Sequence, residues 1–456
     1  MTLVDDTQRR SAPFPDDFLW GVATSAYQIE GAVAADGRGL SVWDTFSHQP
    51  GAILHGDTGD IAADHYHRLE QDLDLLVELG VRAYRFSVAW PRVLPDGTTG
   101  AVNRAGIDFY RRLLDGLGER GIEPLVTLYH WDLPQALEDN GGWLNRETAS
   151  HFAEYAALVV GQLDDLATRW ITLNEPWCSA FLGYYEGRFA PGRRDYCEAY
   201  TAVHHLLLAH GQGVAAIRSV SSRAEVGITC NLADVVAARP SDVEAARAAD
   251  MEENRLFLDP VFHGRYPDDA PAFVRDPGLV HDGDLATISA PLDFYGLNYY
   301  IREVVTADAD EPYRGWRRVP PTGETTSKGD GIAPDGLTNV LLRVRDEYTG
   351  SLPIYVTESG APYNDYIDPE GRVKDPERIE YLAEHLLAAR AAIDEGVDLR
   401  GYFVWSLLDN FEWDSGYSMR FGLVYVDYST QRRIPKSSAF WYRDVIRANA
   451  LLPATR

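Results

Sequence analysis

Residues 66–90 read YHRLEQDLDLLVELGVRAYRFSVAW, and this stretch decides the fold. Leu69, Leu73, Leu76 and Leu79 recur at spacings of four and three, which predicts a helix over 66–79 with one apolar face, and Gly80 supplies its stop. The chain then enters AYRFSVAW (83–90) with no polar linker. A run this continuously apolar suits a strand covered on both faces, as in a parallel sheet.

The alternation extends outward from there. Ile107, Tyr110, Leu113, Leu114 and Leu117 mark a second helix closed by Gly118 and Gly121, and PLVTLYH (124–130) follows as a strand. Six further strand-like runs lie at 18–27, 169–175, 225–232, 293–300, 353–359 and 399–407, making eight in all. Eight buried runs separated by helical patterns predict an α/β protein built as a single (β/α)8 TIM barrel, with enlarged βα loops to absorb the 456 residues. The competing fold is a doubly wound open sheet. No GxGxxG follows the first strand and no Walker A sequence occurs, the phosphate-cradling signatures such sheets often carry. Without a low-complexity linker or a composition shift, residues 1–456 read as one domain, with polar tails at 1–12 and 450–456.

Bulk chemistry narrows the partners. Lys and Arg number 42 against 69 Asp and Glu, a net charge of −27 that repels nucleic acid and anionic lipid. The expected substrate is neutral. Cys178, Cys197 and Cys230 are too few and scattered for a disulfide framework, which predicts a reducing compartment, the cytoplasm. The first twenty residues lack the apolar core of about 7 to 15 residues that a secretory signal needs. No stretch reaches the roughly 18 apolar residues of a membrane span.

In barrel enzymes the chemistry sits at the C-terminal ends of the strands. Those ends carry Gln28 and Glu30, Arg85 and Trp90, His130 and Trp131, Asn174 and Glu175, Asn231, Asn298 and Tyr300, Glu358, and Trp405 with Glu412 and Trp413. Amides, an imidazole, carboxylates and indoles are what a polyhydroxylated ring requires. Glu175 and Glu358 each follow an apolar strand directly, on the fourth and seventh strands, so they can face one another across the barrel mouth. A charge there costs several kcal/mol unless paired, hydrogen-bonded or facing a cavity. Two carboxyl groups flanking a glycosidic bond about 5 to 5.5 Å apart give hydrolysis with retention. The structural alternative at this point is a pair of rim ion pairs.

FPDDFLWGVATSAYQIEG (14–31), SVWDTF (41–46), DHYHR (64–68), YRFSVAWPR (84–92), LYHWDLPQAL (128–137), TLNEP (172–176), FYGLNYY (294–300), VTESG (356–360) and VWSLLDNFEW (404–413) together resemble the β-glucosidases of glycoside hydrolase family 1. The resemblance covers nearly the whole chain. It implies a retaining, exo-acting β-glycosidase working by double displacement, with Glu175 as general acid/base and Glu358 as nucleophile. It further implies that Arg85 and Tyr300 support the nucleophile and that Asn298 orders that corner. Gln28, His130, Trp131, Asn174, Asn298, Tyr300, Glu412 and Trp413 would bind the non-reducing sugar, with Trp405 as platform beneath the ring. Partners are then small β-glycosides or oligosaccharides. No cofactor or metal is implied, and a homo-oligomer is left open. Family members acting on 6-phosphorylated glycosides carry a phosphate-binding Ser in place of the Glu412-Trp413 pair, so unphosphorylated substrates are expected. A transglycosidase and an inactive sugar-binding barrel are the alternatives; the second would lack a catalytic Glu, and both are present.

Two departures from the family pattern stand out. Ser359 replaces the Asn of Thr-Glu-Asn-Gly, and its hydroxyl is expected to hydrogen-bond locally. Gly329-Asp330 stands where Gly-Trp is usual, which predicts a wider or more polar aglycone site, with Trp316 a candidate substitute for the missing indole. His65 and His67, and His204 and His205, lack metal-site spacing and read as structural. Cys178 reads as a packing residue near the site.

Overall fold

The computed structural model describes residues 13–453. All eight apolar runs form strands: β1 (Leu19–Ala23), β2 (Ala83–Ser87), β3 (Glu123–Tyr129), β4 (Arg169–Asn174), β5 (Glu225–Asn231), β6 (Tyr295–Asn298), β7 (Ile354–Ser359) and β8 (Leu399–Trp405). Neighbours pair in parallel in chain order, and β8 closes against β1 with Leu19 opposite Gly401. The barrel is filled. Ala23, Ala83, Leu125, Ile171, Tyr355 and Phe403 pack together inside it. Gly21 leaves room for Phe403, whose ring would lie 2.3 Å from a Cβ at that position.

Several strands end earlier than the apolar runs suggest. After Ser87 the chain turns into the short helix Trp90–Val93 because Pro91 presets the first helical turn. After Ala23 it forms the helix Ala26–Ile29, which carries Gln28 inward. The helix expected over 66–79 forms at Leu69–Glu78, and Gly80 follows at φ +65°. The next helix, Arg104–Glu119, runs through Gly118, so the stop falls at Gly121, φ +67°.

One large core joins the outer faces of the strands to the helices, from Phe14 to Leu451. The tail expected at 450–456 is already packed at its start: Ala450 bridges Pro13, and Leu451 is buried. Residues 1–12 and 454–456 lie outside the described part. The enlarged loops build a three-stranded sheet (Asp234–Ala237, Arg302–Ala307, Trp316–Arg318) and a hairpin (Val424–Asp427, Arg432–Pro435). Among the described residues no helix is long and apolar enough to cross a membrane.

The register places the chemistry. It slips at the C-terminal ends of β4 and β7, between Ile171 and Asn174 and between Val356 and Glu358. Such irregularities re-aim side chains at a barrel rim. Gly360 then lets the exit of β7 pass beneath β8, where a Cβ would lie 1.8 Å from the Trp405 carbonyl oxygen.

Candidate active site

Glu175 and Glu358 line one cavity of about 430 Å³ at the C-terminal mouth of the barrel. That volume suits a small ligand, within the roughly 300–1,000 Å³ of ligand pockets. Arg85, fully buried on β2, donates to Glu358 Oε1 and, at 2.6 Å, to Asn174 Oδ1. Tyr300 Oη donates to the other Glu358 oxygen at 2.7 Å. Asn298 Nδ2 donates to Glu175 Oε1 at 2.7 Å and to Asn174 Oδ1 at 3.1 Å. Thr357 holds the far end of that amide, donating to Asn298 Oδ1 at 2.7 Å. One hydrogen-bonded chain thus connects the two carboxylates, Arg85 donating to Glu358 and to Asn174, and Asn298 donating to Asn174 and to Glu175.

The environments of the two differ. Burial, and then the nearby Glu358 charge, raise the Glu175 carboxyl above the usual carboxylate range, against the bonds from Asn298 and Cys178 and the Arg85 charge. A carboxyl held this way keeps its proton near neutral pH and can give it up as an acid. Glu358 instead takes an ion pair from a guanidinium as buried as itself. A charge-assisted bond of that kind suits a group that acts as an anion.

Aromatic rings form the floor and inner wall. The His130 ring lies nearly parallel to Trp405 and to Trp413, with centroids 5.8 and 6.0 Å away. Burial and the Arg85 charge pull its imidazole well below its ordinary pKa, so the ring is neutral and accepts from Asn174 Nδ2 at 3.2 Å. Trp131 donates to the Asn174 carbonyl at 2.9 Å and packs on Trp413, 4.5 Å between centroids. Gln28 is fully buried and bonds Glu412 Oε2 at 3.3 Å. Trp131, Glu175 and Trp413 all take left-handed backbone, φ +75°, +46° and +48°. Side chains of L-residues rarely sit there, and such strain gathers where a rigid surround holds a site in place.

Most expected residues therefore meet. Glu30 and Trp90 do not: Glu30 pairs with Arg92 and accepts from Tyr110, and Trp90 stacks on Tyr155. Asn298, expected to order the corner around the nucleophile, bonds Glu175 directly while Thr357, beside Glu358, donates to its other end. Trp316 does not replace the missing indole; it is buried against Ala245, Ala249 and Val305, away from the cavity wall. Ser359 is fully buried, and its hydroxyl faces the Tyr381 and Tyr402 phenols without a hydrogen bond of normal geometry. His65 binds Asp72, His204 contacts Tyr266 and Asp284, and His205 meets the Trp143 carbonyl, so each has a structural partner.

Sequence reasoning missed the charged outer wall. Glu253 and Glu303 both bond Arg318, and Lys328 and Asp330 join them in lining the cavity. The hint was the Gly329-Asp330 departure; Glu303 and Arg318 come from the loop sheet, whose pairing no local pattern announces.

Cys178 is more than packing. Its thiol donates to Glu175 Oε2 at 3.2 Å, so the two carboxyl oxygens have one donor each. Both donors favour the ionised form. Cys178→Ala is expected to raise the Glu175 pKa and move the basic limb of kcat/KM upward by about half a pH unit, since a thiol is a weak donor. Cys178→Ser should restore the limb. A basic limb that stays put in the alanine variant contradicts the contact's influence.

The family model described as "Glycosyl hydrolase family 1" matches residues 10–451. The chain is 52% identical to "Thermostable beta-glucosidase B" of Thermobispora bispora over 96% of its own length and 91% of that protein. To "Beta-glucosidase A" of Thermotoga maritima it is 48% identical, over 96% of this chain and 98% of that one. The solved beta-glucosidase from Thermotoga maritima in complex with deoxynojirimycin superposes with a TM-score of 0.93 at 48% identity, covering 96% of this chain and 100% of that one.

Proposed function

Because the chain belongs to glycosyl hydrolase family 1, we propose that it is a retaining, exo-acting β-glucosidase whose two-step chemistry runs on Glu358 and Glu175. The observation that carries this reading is the hydrogen-bonded chain joining two buried carboxylates in one cavity, one of them ion-paired to Arg85. In the first step Glu358 attacks the anomeric carbon while Glu175 gives its proton to the departing glycosidic oxygen. The aglycone leaves, and a covalent glycosyl-enzyme remains. In the second step Glu175, now ionised, takes a proton from water, which attacks the anomeric carbon from the face the aglycone left, opposite Glu358, and releases that carboxylate with net retention.

Arg85 and Tyr300 hold the two oxygens of Glu358, and Asn298 and Cys178 hold those of Glu175, so neither carboxyl has to be ordered at the moment of reaction. Trp405 supplies the platform under the ring. His130, Trp131, Glu412 and Trp413 face its hydroxyls, while Gln28 through Glu412, and Asn174 through Arg85 and Asn298, order the floor. The substrates are unphosphorylated β-glucosides, because Glu412 and Trp413 occupy the place of a phosphate-binding serine. A charged outer wall of Glu253, Glu303, Arg318 and Asp330 makes the aglycone side polar. Three cysteines without disulfide partners, two of them buried, support a cytoplasmic location.

The test is the anomer first released from an aryl β-glucoside, followed by ¹H NMR before mutarotation. The expected product is β-glucose. Initial release of α-glucose overturns the mechanism, and no turnover of any β-glycoside in a panel of glucoside, galactoside, fucoside and xyloside overturns the activity.

A further inference from the structure

Lys328 stands in the segment where this chain departs from its family, and its ammonium points into the cavity beside Glu412. Nζ lies 3.9 Å from Glu412 Oε1, close enough for attraction and too far for a hydrogen bond. The Lys328 side chain is 35% exposed and that of Glu412 only 8%. A loose, half-open ion pair of this sort contributes little to stability. A hydroxyl at the side of the pair can bridge both charges, since two hydrogen bonds of about 2.8 Å meeting at roughly a right angle span that 3.9 Å separation.

The turn that presents Lys328 is closed tightly. Thr326 N donates to the Asp330 carbonyl and Gly329 N to the Thr326 carbonyl, both at 2.9 Å, and Thr325 bridges Gly331. Gly329, at φ +90°, permits that turn, and Ser327 N ties it to the Pro362 carbonyl beyond β7. The lysine is therefore carried on fixed backbone. On the inner side Glu412 Oε2 accepts from the fully buried Gln28. The two oxygens of Glu412 thus face different directions: Oε2 inward to the amide, Oε1 outward to the ammonium. If Gln28 and Glu412 Oε2 hold a ring hydroxyl from within, the oxygen left for Glu412 Oε1 and Lys328 on the outer side is one that projects beyond the ring, which in a hexose is the exocyclic oxygen on C6.

We propose that Lys328 is a specificity-determining residue that, with Glu412, holds the C6 hydroxymethyl group of the bound sugar, the ammonium donating to O6 and the carboxylate accepting its proton. The site then favours β-hexosides that carry this group over β-pentosides that lack it. This rests on the reading of Glu412 as a sugar-binding carboxylate. Lys328 has a second effect through charge. Burial, together with Asp414 and Glu358, pushes the Glu412 carboxyl up to about 7, and Lys328 is the main influence in the other direction, ahead of the bond from Gln28. Tyr300 also faces Glu412. Loss of the cation raises the Glu412 pKa further, so at pH 6 more of the acceptor is protonated than at pH 8.

The experiment compares Lys328→Met, which keeps an unbranched stem, and Glu412→Gln with the parent on aryl β-glucoside and aryl β-xyloside. For Lys328→Met the glucoside KM is expected to rise about tenfold, the equivalent of one charge-assisted hydrogen bond, with kcat changed less than about threefold. The xyloside KM should change less than about twofold, and the glucoside penalty should be larger at pH 6 than at pH 8. Equal losses for both glycosides, or no change for either, overturn the proposal. If Glu412→Gln raises the glucoside KM and Lys328→Met does not, the role of Lys328 falls alone. If Glu412→Gln leaves the glucoside KM unchanged, the reading of Glu412 falls and the proposal falls with it.

Discussion

Replacing Glu358 by glutamine is expected to lower kcat/KM on an aryl β-glucoside by roughly 10⁵-fold, the scale on which covalent enzymes lose activity without their nucleophile. An amide of the same shape cannot bond the anomeric carbon as a leaving carboxylate does. The measurement is steady-state kinetics beside mass spectrometry with a slow 2-fluoro-glucoside. The parent should accumulate a glycosyl adduct on the peptide containing Glu358, and the variant none. Stability should fall as well, because Arg85 is fully buried and loses its ionic partner. Breaking a buried pair typically costs about 3–5 kcal/mol. Here the bonds from Arg85 to Asn174 Oδ1 at 2.6 Å and to the Thr357 carbonyl at 3.3 Å survive, which places the cost at the lower end. A variant with a tenth of the parent activity, or an adduct on another residue, overturns the assignment.

Glu175→Gln is expected to cost about 10²–10⁴-fold on glucosides with poor leaving groups, the usual range for a lost general acid. Activated aryl glucosides should lose far less in the first step, since their leaving groups need little protonation. The second step still lacks its base, so azide, which needs none, should restore turnover and yield the β-glucosyl azide. The pH profile supplies a separate check. Burial and the Glu358 charge raise the Glu175 carboxyl, so the parent's acid is present through neutral pH and lost as pH rises through that raised value. The basic limb of kcat/KM should therefore vanish in the glutamine variant. Its persistence would mean that another group donates the proton.

Much of the site was legible because local pattern and position coincide. Glu175 and Glu358 follow apolar strands, and both line the cavity where β4 and β7 end. Trp405 closes β8, and His130 directly follows β3, which predicted their place at the rim without any contact being known. The same rule misplaced Glu30 and Trp90. Each stands a few residues past its strand, on or next to a short helix that turns it away from the mouth, and Arg92 or Tyr155 then takes it. Asn298 stands at the corner expected of it, and its direct bond to Glu175 is the part the sequence leaves open. Which carboxylate its amide meets depends on how β6 slides against β7, where the register slips beside Glu358. Trp316 failed as a substitute because its strand pairs inside the loop sheet and its indole is taken up by Ala245, Ala249 and Val305.

The amino-acid sequence alone determined eight buried parallel strands, their order, and the two acids at the rim, because each of these is set by periodicity and composition within some ten to twenty residues. Tertiary structure decided everything that depends on partners distant in the chain. Arg85 meets Glu358 across 273 positions and Gln28 meets Glu412 across 384, contacts that exist only once β8 has closed on β1. The thiol on Glu175 and the ammonium beside Glu412 belong to the same category. Proton affinity and specificity are properties of an enclosed space, and no local segment contains that space until the barrel is shut.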